Sequence, residues 1–529
     1  MPRFRRFSLL AAAMLLLTGC DPADLFLTAE DSAAMISDHK EQRYDTDSVR
    51  TMVSELQSAW NSDDRETVRS LVDRLTGAVD DASAVFLKAE IGYYTDWNNK
   101  DRAALRDQTM QDYCETAEMV RWAFANGSRK SRYAELFEPL TQPENTDYYL
   151  ANSLSRVCSS ARSEANSSSE RLDEYYQTAY SSESDSAQTN EACAALYLET
   201  VKALDTDDLL YEHYARDYTP NEASSAWQVI RSEIVPLYRS LYDSIRTDKR
   251  YNDLADKKFA VSKPFEVIQK HAAAISPQLA ESAEKLLGES LYTVASGENC
   301  YDGSYTVNFP KERSARIYFY QGSDFYDFSS AVHEFGHFHG DWRDQTPTLL
   351  QKTCIDIAEI QSQGLEMLYT SFYDDIYGAD AGYLELIQIF NMLDSVITGF
   401  SVGEFERDVM QHKDSYTAED VQRIFGEYKD QTGFTLELYQ VTHLYEQPGY
   451  YISYGVSALA ALQIYTAMLQ DFRKGTDLYE KIAEIPTFSG EYKLEKALRQ
   501  CGFDDLFSAD SIRSVAENLT ARTQAIAAQ

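Results

Sequence analysis

With 529 residues, 44% of them hydrophobic, the chain can bury a large core or form more than one subdomain, since a single domain usually takes roughly 100–200 residues. Its formal charge is −36, from 85 acidic against 49 basic residues. No Lys/Arg stripe interrupts that acidity, so the chain repels phosphate and has no means of releasing counterions, and nucleic-acid functions are excluded.

The first twenty residues stand apart. Arg3, Arg5 and Arg6 precede an unbroken apolar run from Leu9 to Leu17, and Leu17-Thr18-Gly19-Cys20 closes the segment. The run is well short of the ~20 residues a bilayer span needs, and the small residues before Cys20 suit a cleavage site. Residues 1–19 therefore read as a signal peptide. The segment resembles the lipobox of bacterial lipoproteins, which implies lipidation of Cys20 and anchorage on the extracytoplasmic face of a bacterial cell membrane. No other stretch is read as long and apolar enough to cross a membrane. Six further cysteines, Cys114, Cys158, Cys193, Cys300, Cys354 and Cys501, permit disulfides in an exported protein, but their spacing identifies no pairs and buried free thiols fit equally well.

Residues 20–45 are polar and read as a tether. Residues 46–290 read as an N-terminal helical domain: Val53, Leu56 and Trp60 share one face, as do Leu71, Leu75 and Val79. The Ser-rich stretch from Ser159 to Thr189 reads as a loop or exposed hairpin tip. Residues 291–529 read as a second, catalytic domain. It opens with two runs of β-branched and aromatic residues, Tyr305–Phe309 and Arg316–Tyr320, expected as strands. Ser323-Asp324, with Asp327 following, is a helix start for the run Phe328–His339. Helical patterns then cover about 352–412, 417–430, 450–475 and 493 to the end. The fold class expected is mainly α, with a small β element beside the helix of residues 328–339.

That helix carries His333-Glu334-Phe335-Gly336-His337, an HExxH sequence that sets two imidazoles one turn apart on one face, with a carboxylate beside them. Zinc suits such a site: it takes imidazole nitrogen and carboxylate oxygen tetrahedrally, and three protein ligands leave a place for water, whose proton a non-ligating Glu can accept. A following helix offers Asp356, Glu359 and Glu366 as the third ligand, and Glu359 and Glu366, seven residues apart, can point the same way.

The HExxH followed by Asp356-Ile357-Ala358-Glu359, Ser362-Gln363 and Glu366 resembles the thimet oligopeptidase and oligoendopeptidase F family of zinc metallopeptidases. The resemblance implies one zinc ion held by His333, His337 and Glu359, with Glu334 as general base and Asp356 able to orient a ligand. The gap from His337 to Glu359 is a little shorter than in thimet oligopeptidase, which keeps Glu366 as an alternative ligand. His443 and the Pro448-Gly449-Tyr450-Tyr451-Ile452-Ser453-Tyr454 segment also resemble the family, implying that His443 and Tyr454 stabilise the oxyanion and that Tyr450 and Tyr451 contact substrate. Core packing is the competing reading of so aromatic a cluster in a chain with 37 tyrosines. The strand Arg316–Tyr320 corresponds to one whose edge can pair with an extended peptide. His339 is given no role, and His39, His213, His271 and His412 lack ligand spacing.

The expectation is a two-lobed, lipid-anchored zinc metalloendopeptidase with a deep cleft that hydrolyses short oligopeptides, acting as a monomer. The alternatives are a peptide-binding lipoprotein that does not cut, and a zinc amidase acting on cell-wall peptides.

Overall fold

The computed structural model describes residues 43–528 apart from 180–185, 205–210, 212, 213, 215, 250–260 and 323–325. The expected signal peptide, Cys20, most of the expected tether and the Ser323-Asp324 pair expected to start a helix lie outside the described residues.

The chain begins with long helices: α1 (Thr46–Ala59), α2 (Arg65–Thr95), α3 (Lys100–Lys130), α4 (Pro143–Ala151), α5 (Leu154–Ala179), α6 (Ser186–Ala203), α7 (Pro220–Thr247), α8 (Pro264–Ile275) and α9 (Pro277–Gly288). Several start where a short polar side chain satisfies a free amide: Asp45 accepts from Ser48 N, Asp64 from Thr67 N, and Thr219 with Glu222 forms a reciprocal capping box. The described part of the Ser-rich stretch is helix and not loop, while residues 180–185, with most of the Ser-Ser-Glu-Ser-Asp-Ser run, lie outside the described residues. Most of the stretch is helical in α5 and α6, because Val157, Cys158, Ala161 and Ala165 form a buried stripe at three- and four-residue spacing while Ser159, Ser160 and Ser163 occupy the exposed face. Periodicity outweighs serine content there.

Three strands follow, β1 (Tyr292–Ala295), β2 (Tyr305–Phe309) and β3 (Ser314–Tyr320), in the order β1-β3-β2, with β1 parallel and β2 antiparallel to β3. The strand Arg316–Tyr320 is thus the centre of the sheet: both its edges are taken, and β2 is an edge strand. The remaining elements are α10 (Tyr326–Asp341), α11 (Ile355–Tyr369), α12 (Tyr373–Tyr377), α13 (Ala381–His412), α14 (Ala418–Thr432), α15 (His443–Glu446), α16 (Tyr451–Gln470), α17 (Phe472–Ala483), α18 (Leu494–Cys501) and α19 (Ala509–Ala527).

The fold is mainly α with a small sheet beside α10, as the sequence suggests. One large apolar core runs from Tyr175 to Ile526 and takes in the inner faces of α10, α11, α13 and α16; a second, smaller one is built by Val49 to Cys158 together with Leu349. The helical run Ile355–His412 and the helix Tyr451–Gln470 are long and apolar enough to cross a membrane, contrary to the sequence reading, but 83% of the most apolar window in each is buried inside the protein. Their hydropathy is that of core helices. The six cysteines are all free thiols, with Cys114 half-buried and the rest buried.

Candidate metal centre and active site

α10 lies between the sheet and α11, and the spacing of its motif brings His333 Nε2 to 3.2 Å from His337 Nε2. α11 crosses it at Gly336, where a Cβ would stand 2.6 Å from Ser362 Cα and 2.7 Å from Gln361 O, so only glycine permits this approach. The crossing sets Glu359 Oε2 3.4 Å from His333 Nε2 and 3.8 Å from His337 Nε2. A tetrahedral ion bound at about 2.0–2.2 Å requires ligand atoms roughly 3.3–3.6 Å apart. Two of the three separations sit at or near that range and the third is slightly longer, so these residues fit a single ion of zinc's size.

Glu366, the alternative ligand, stands one layer further out. Its Oε1 accepts from His333 Nδ1 at 2.7 Å, and its Oε2 accepts from Ser329 Oγ at 2.5 Å and Gln388 Nε2 at 3.0 Å. That bond fixes the proton on Nδ1 and leaves the Nε2 lone pair for an ion. Burial pulls the His333 pKa down, but the bond to Glu366 and the nearby carboxylates of Glu359 and Glu334 outweigh it and raise it to about 9. Asp356 makes no direct bond to a candidate ligand. It is buried against Arg216, with Oδ1 3.6 Å from Nε, and neither of its oxygens hydrogen-bonds to an imidazole.

Glu334 is buried beside the ligands, and its Oε2 accepts from Thr306 Oγ1 on β2 at 2.9 Å. The sequence reading passed over Thr306; as one β-branched residue in a predicted strand it carried no signal of its own. Tyr450 Oη donates to Glu359 Oε1 at 2.5 Å, so its hydroxyl is engaged by the carboxylate that faces the imidazoles. Burial raises the Tyr450 pKa far above its ordinary value, which keeps it a donor. His443 packs edge-on against the Tyr450 ring, centroids 4.6 Å apart, and its Nε2 lies 3.2 Å from Tyr454 Oη. Tyr451 completes the group, its ring 5.9 Å from that of His443 and 5.6 Å from that of Tyr454. The structure therefore brings together all the residues singled out downstream, and Tyr450 links them to the three-ligand set.

The turn preceding Tyr450 is tied down from several sides. Gly449 has φ +86°, its N–H donates to Glu406 Oε1 at 2.6 Å, and its carbonyl accepts from Arg216 Nη2 at 2.9 Å. Tyr214 Oη donates to Pro448 O at 2.9 Å. His339 is buried away from the ligands, 2.8 Å from Ser282 Oγ; burial first, then Arg343, lowers its pKa to about 3. His271 pairs with Asp375 and His412 with Asp408, whereas His39 and His213 lie outside the described residues.

No protein-family model and no curated protein matches the sequence. Solved structures do match. A protein assigned as an oligoendopeptidase F superposes with a TM-score of 0.73 at 14% identity, over 92% of this chain and 98% of its own. PZ peptidase A, solved with an inhibitor, gives 0.73 at 14% over 93% and 99%, and a Bacillus anthracis protein assigned as an oligoendopeptidase F gives 0.70 at 13% over 92% and 98%. At such identities the likeness concerns architecture, and the chain has the mainly helical fold of the oligoendopeptidase F peptidases.

Proposed function

We propose that this protein is a zinc-dependent metallopeptidase that hydrolyses short oligopeptides, held by a lipid on Cys20 at the outer face of a bacterial membrane. The observation that carries the reading is the convergence of His333 Nε2, His337 Nε2 and Glu359 Oε2 with Glu334 alongside, a donor set that leaves one place open. The fold shared with oligoendopeptidases supports the choice of a peptide as substrate.

Zinc held by these three residues would supply Lewis acidity to a water and to the scissile carbonyl. Glu334, steadied by Thr306, takes the water's proton and returns it to the departing amine. Tyr450 holds the outer oxygen of Glu359, so that Oε2 is the atom turned to the imidazoles. Tyr454 and His443 form a hydrogen-bonding pair suited to the oxyanion that develops as water adds. Tyr451, half-buried beside them, is the substrate contact in this reading.

Quenched fluorescent peptides, assayed with and without a chelator, test it. Cleavage that stops on chelation, returns with zinc and falls by about 10²- to 10⁴-fold in Glu334→Gln is expected. Undiminished cleavage by that variant would refute the mechanism, and peptide capture without cleavage by the zinc-loaded parent would favour a binding protein. Radiolabelled fatty acid should enter the parent and be absent from Cys20→Ala.

A further inference from the structure

His443 begins the short helix α15, and one turn on, at its end, is Glu446, a residue that nothing above assigns. Glu446 Oε2 lies 3.4 Å from His443 Nδ1, and its Oε1 accepts from the hydroxyl of Tyr176 on α5. Burial pushes the Glu446 carboxyl up, but the bonds to His443 and Tyr176 outweigh that and hold it below the usual carboxylate range, so it is ionised at neutral pH. The Tyr176 hydroxyl, raised far above its ordinary pKa by burial and then by Glu446, remains a donor. An ionised carboxylate accepts only. With that carboxylate 3.4 Å from Nδ1, the tautomer that carries its proton on Nδ1 is the favoured one, and Nε2 is the nitrogen left to face Tyr454 Oη at 3.2 Å. Thr442 Oγ1, 3.2 Å from the same Nδ1, accepts in this tautomer and would donate in the other, so the carboxylate decides between them.

α5 is fastened to this segment at neighbouring points. Tyr175 Oη donates to Tyr439 O at 2.7 Å, and the Tyr175 ring stacks on Tyr445 with centroids 3.9 Å apart. The contact of Tyr176 with Glu446 is thus part of a packed junction between α5 and the segment from Tyr439 to Glu446 that includes α15.

We propose that Glu446, held by Tyr176, is a positioning residue that fixes the proton of His443 on Nδ1 and so directs Nε2 to Tyr454. The inference rests on the peptidase reading, with Tyr454 as the donor to the oxyanion: its one hydroxyl proton rests on the unprotonated Nε2 and turns to the oxyanion as charge develops, while Glu446 contacts none of the three candidate ligands.

The test uses zinc-loaded protein and the quenched-peptide assay. Glu446→Gln, whose amide can present an N–H to Nδ1 and reverse the tautomer, should lower kcat by about ten- to a hundredfold with little change in KM. Glu446→Asp should recover part of the loss, and Tyr176→Phe should show a smaller loss of the same kind. In a His443→Ala background Glu446→Gln should cost nothing further. An equal loss in both backgrounds, or none in the parent, would overturn the proposal. Nitrogen-15 NMR of the imidazoles, with His443 assigned through His443→Ala, reads the tautomer without any turnover. Nδ1–H in the parent and a shift toward Nε2–H in Glu446→Gln are expected; identical His443 signals would overturn the proposal whatever the peptide assay gives. Glu334→Gln separates the two ideas, since loss of cleavage there alongside unaltered Glu446→Gln would leave the peptidase reading standing and this inference refuted.

Discussion

Replacing Glu366 by Gln should weaken zinc binding by an amount that depends on pH, and the structure gives both the size and the sign. Glu366 does two opposing things to His333. Its bond to Nδ1 orients the ring and makes Nε2 a better donor, and losing such a partner typically costs ten- to a hundredfold in metal affinity. The same carboxylate is the largest force raising the His333 pKa to about 9, so at pH 7 without an ion a second proton occupies Nε2 and must leave before an ion can bind there. With a pKa near 9 that competition weakens apparent binding at pH 7 by about a hundredfold, whereas an ordinary histidine pays less than twofold. The substitution removes much of this handicap while it removes the orientation. Apparent affinity, measured against a competing chelator, should therefore differ little between parent and Glu366→Gln at pH 7 and diverge by about ten- to a hundredfold at pH 9.5. The parent's affinity should climb by up to tenfold per pH unit across that interval. A loss equal at both pH values, or larger at pH 7, would refute the reasoning. So would a Glu359→Gln variant that retained zinc while Glu366→Gln lost it.

Other expectations follow from single contacts. Gly336→Ala forces the α10–α11 crossing apart and should lower stability by about 1–3 kcal/mol, read in a denaturant titration, with a parallel loss of zinc; an unchanged midpoint and zinc content would deny the close approach. Tyr450→Phe should weaken zinc binding because it frees the outer oxygen of Glu359, while Tyr454→Phe should leave zinc in place and lower kcat by about 10²-fold. Equal zinc affinity in the two variants would erase that distinction. Glu406 is buried, and burial lifts its pKa to about 8 against the Gly449 N–H bond and Arg216. Since its folded pKa lies above the unfolded one, its contribution to stability is best below about pH 4.5 and declines, by a few kcal/mol in order of magnitude, as pH rises to 8. Glu406→Gln should therefore gain stability relative to the parent between pH 5 and 8, and a pH-independent difference would contradict the assignment.

The two imidazoles were legible in the sequence because their spacing is a property of one helix. The acids of α11 were not separable, since Glu359 and Glu366 share a face and only the crossing with α10 decides which reaches the Nε2 atoms and which reaches Nδ1. That crossing is set by Gly336 against Ser362, a contact between residues 26 positions apart that no local pattern announces. The partner of Asp356 was hidden for the same reason: Arg216 comes from 140 residues earlier in the chain. The Ser-rich stretch failed differently, because composition was read there in place of the stripe formed by Val157, Ala161 and Ala165. β1 is only four residues long, and without it β3 could be taken for an edge strand.

What the N-terminal helices contribute to the site follows from where Arg216 lies. Its fully buried guanidinium faces Asp356 on α11, three residues before Glu359, and donates both to Gly449 O and to Ser453 Oγ at 2.7 Å, either side of Tyr450. A buried ion pair is weak evidence for stability, because removing two charges from water offsets most of their attraction. Its geometric effect here is specific. The 2.5 Å bond from Tyr450 to Glu359 joins two elements that Arg216 also joins, so the orientation of the candidate acidic ligand depends on a cation supplied from outside α10, α11 and α16. With Tyr176 acting on Glu446 from α5 and Arg216 reaching Gly449 and Ser453 from the connection between α6 and α7, both ends of the His443–Tyr454 segment are set by the N-terminal part of the chain. The N-terminal helices from α5 to α9 share one apolar core with α10, α11, α13 and α16, so residues 291–529 expressed without them should lose their fold together with the means of aiming these residues.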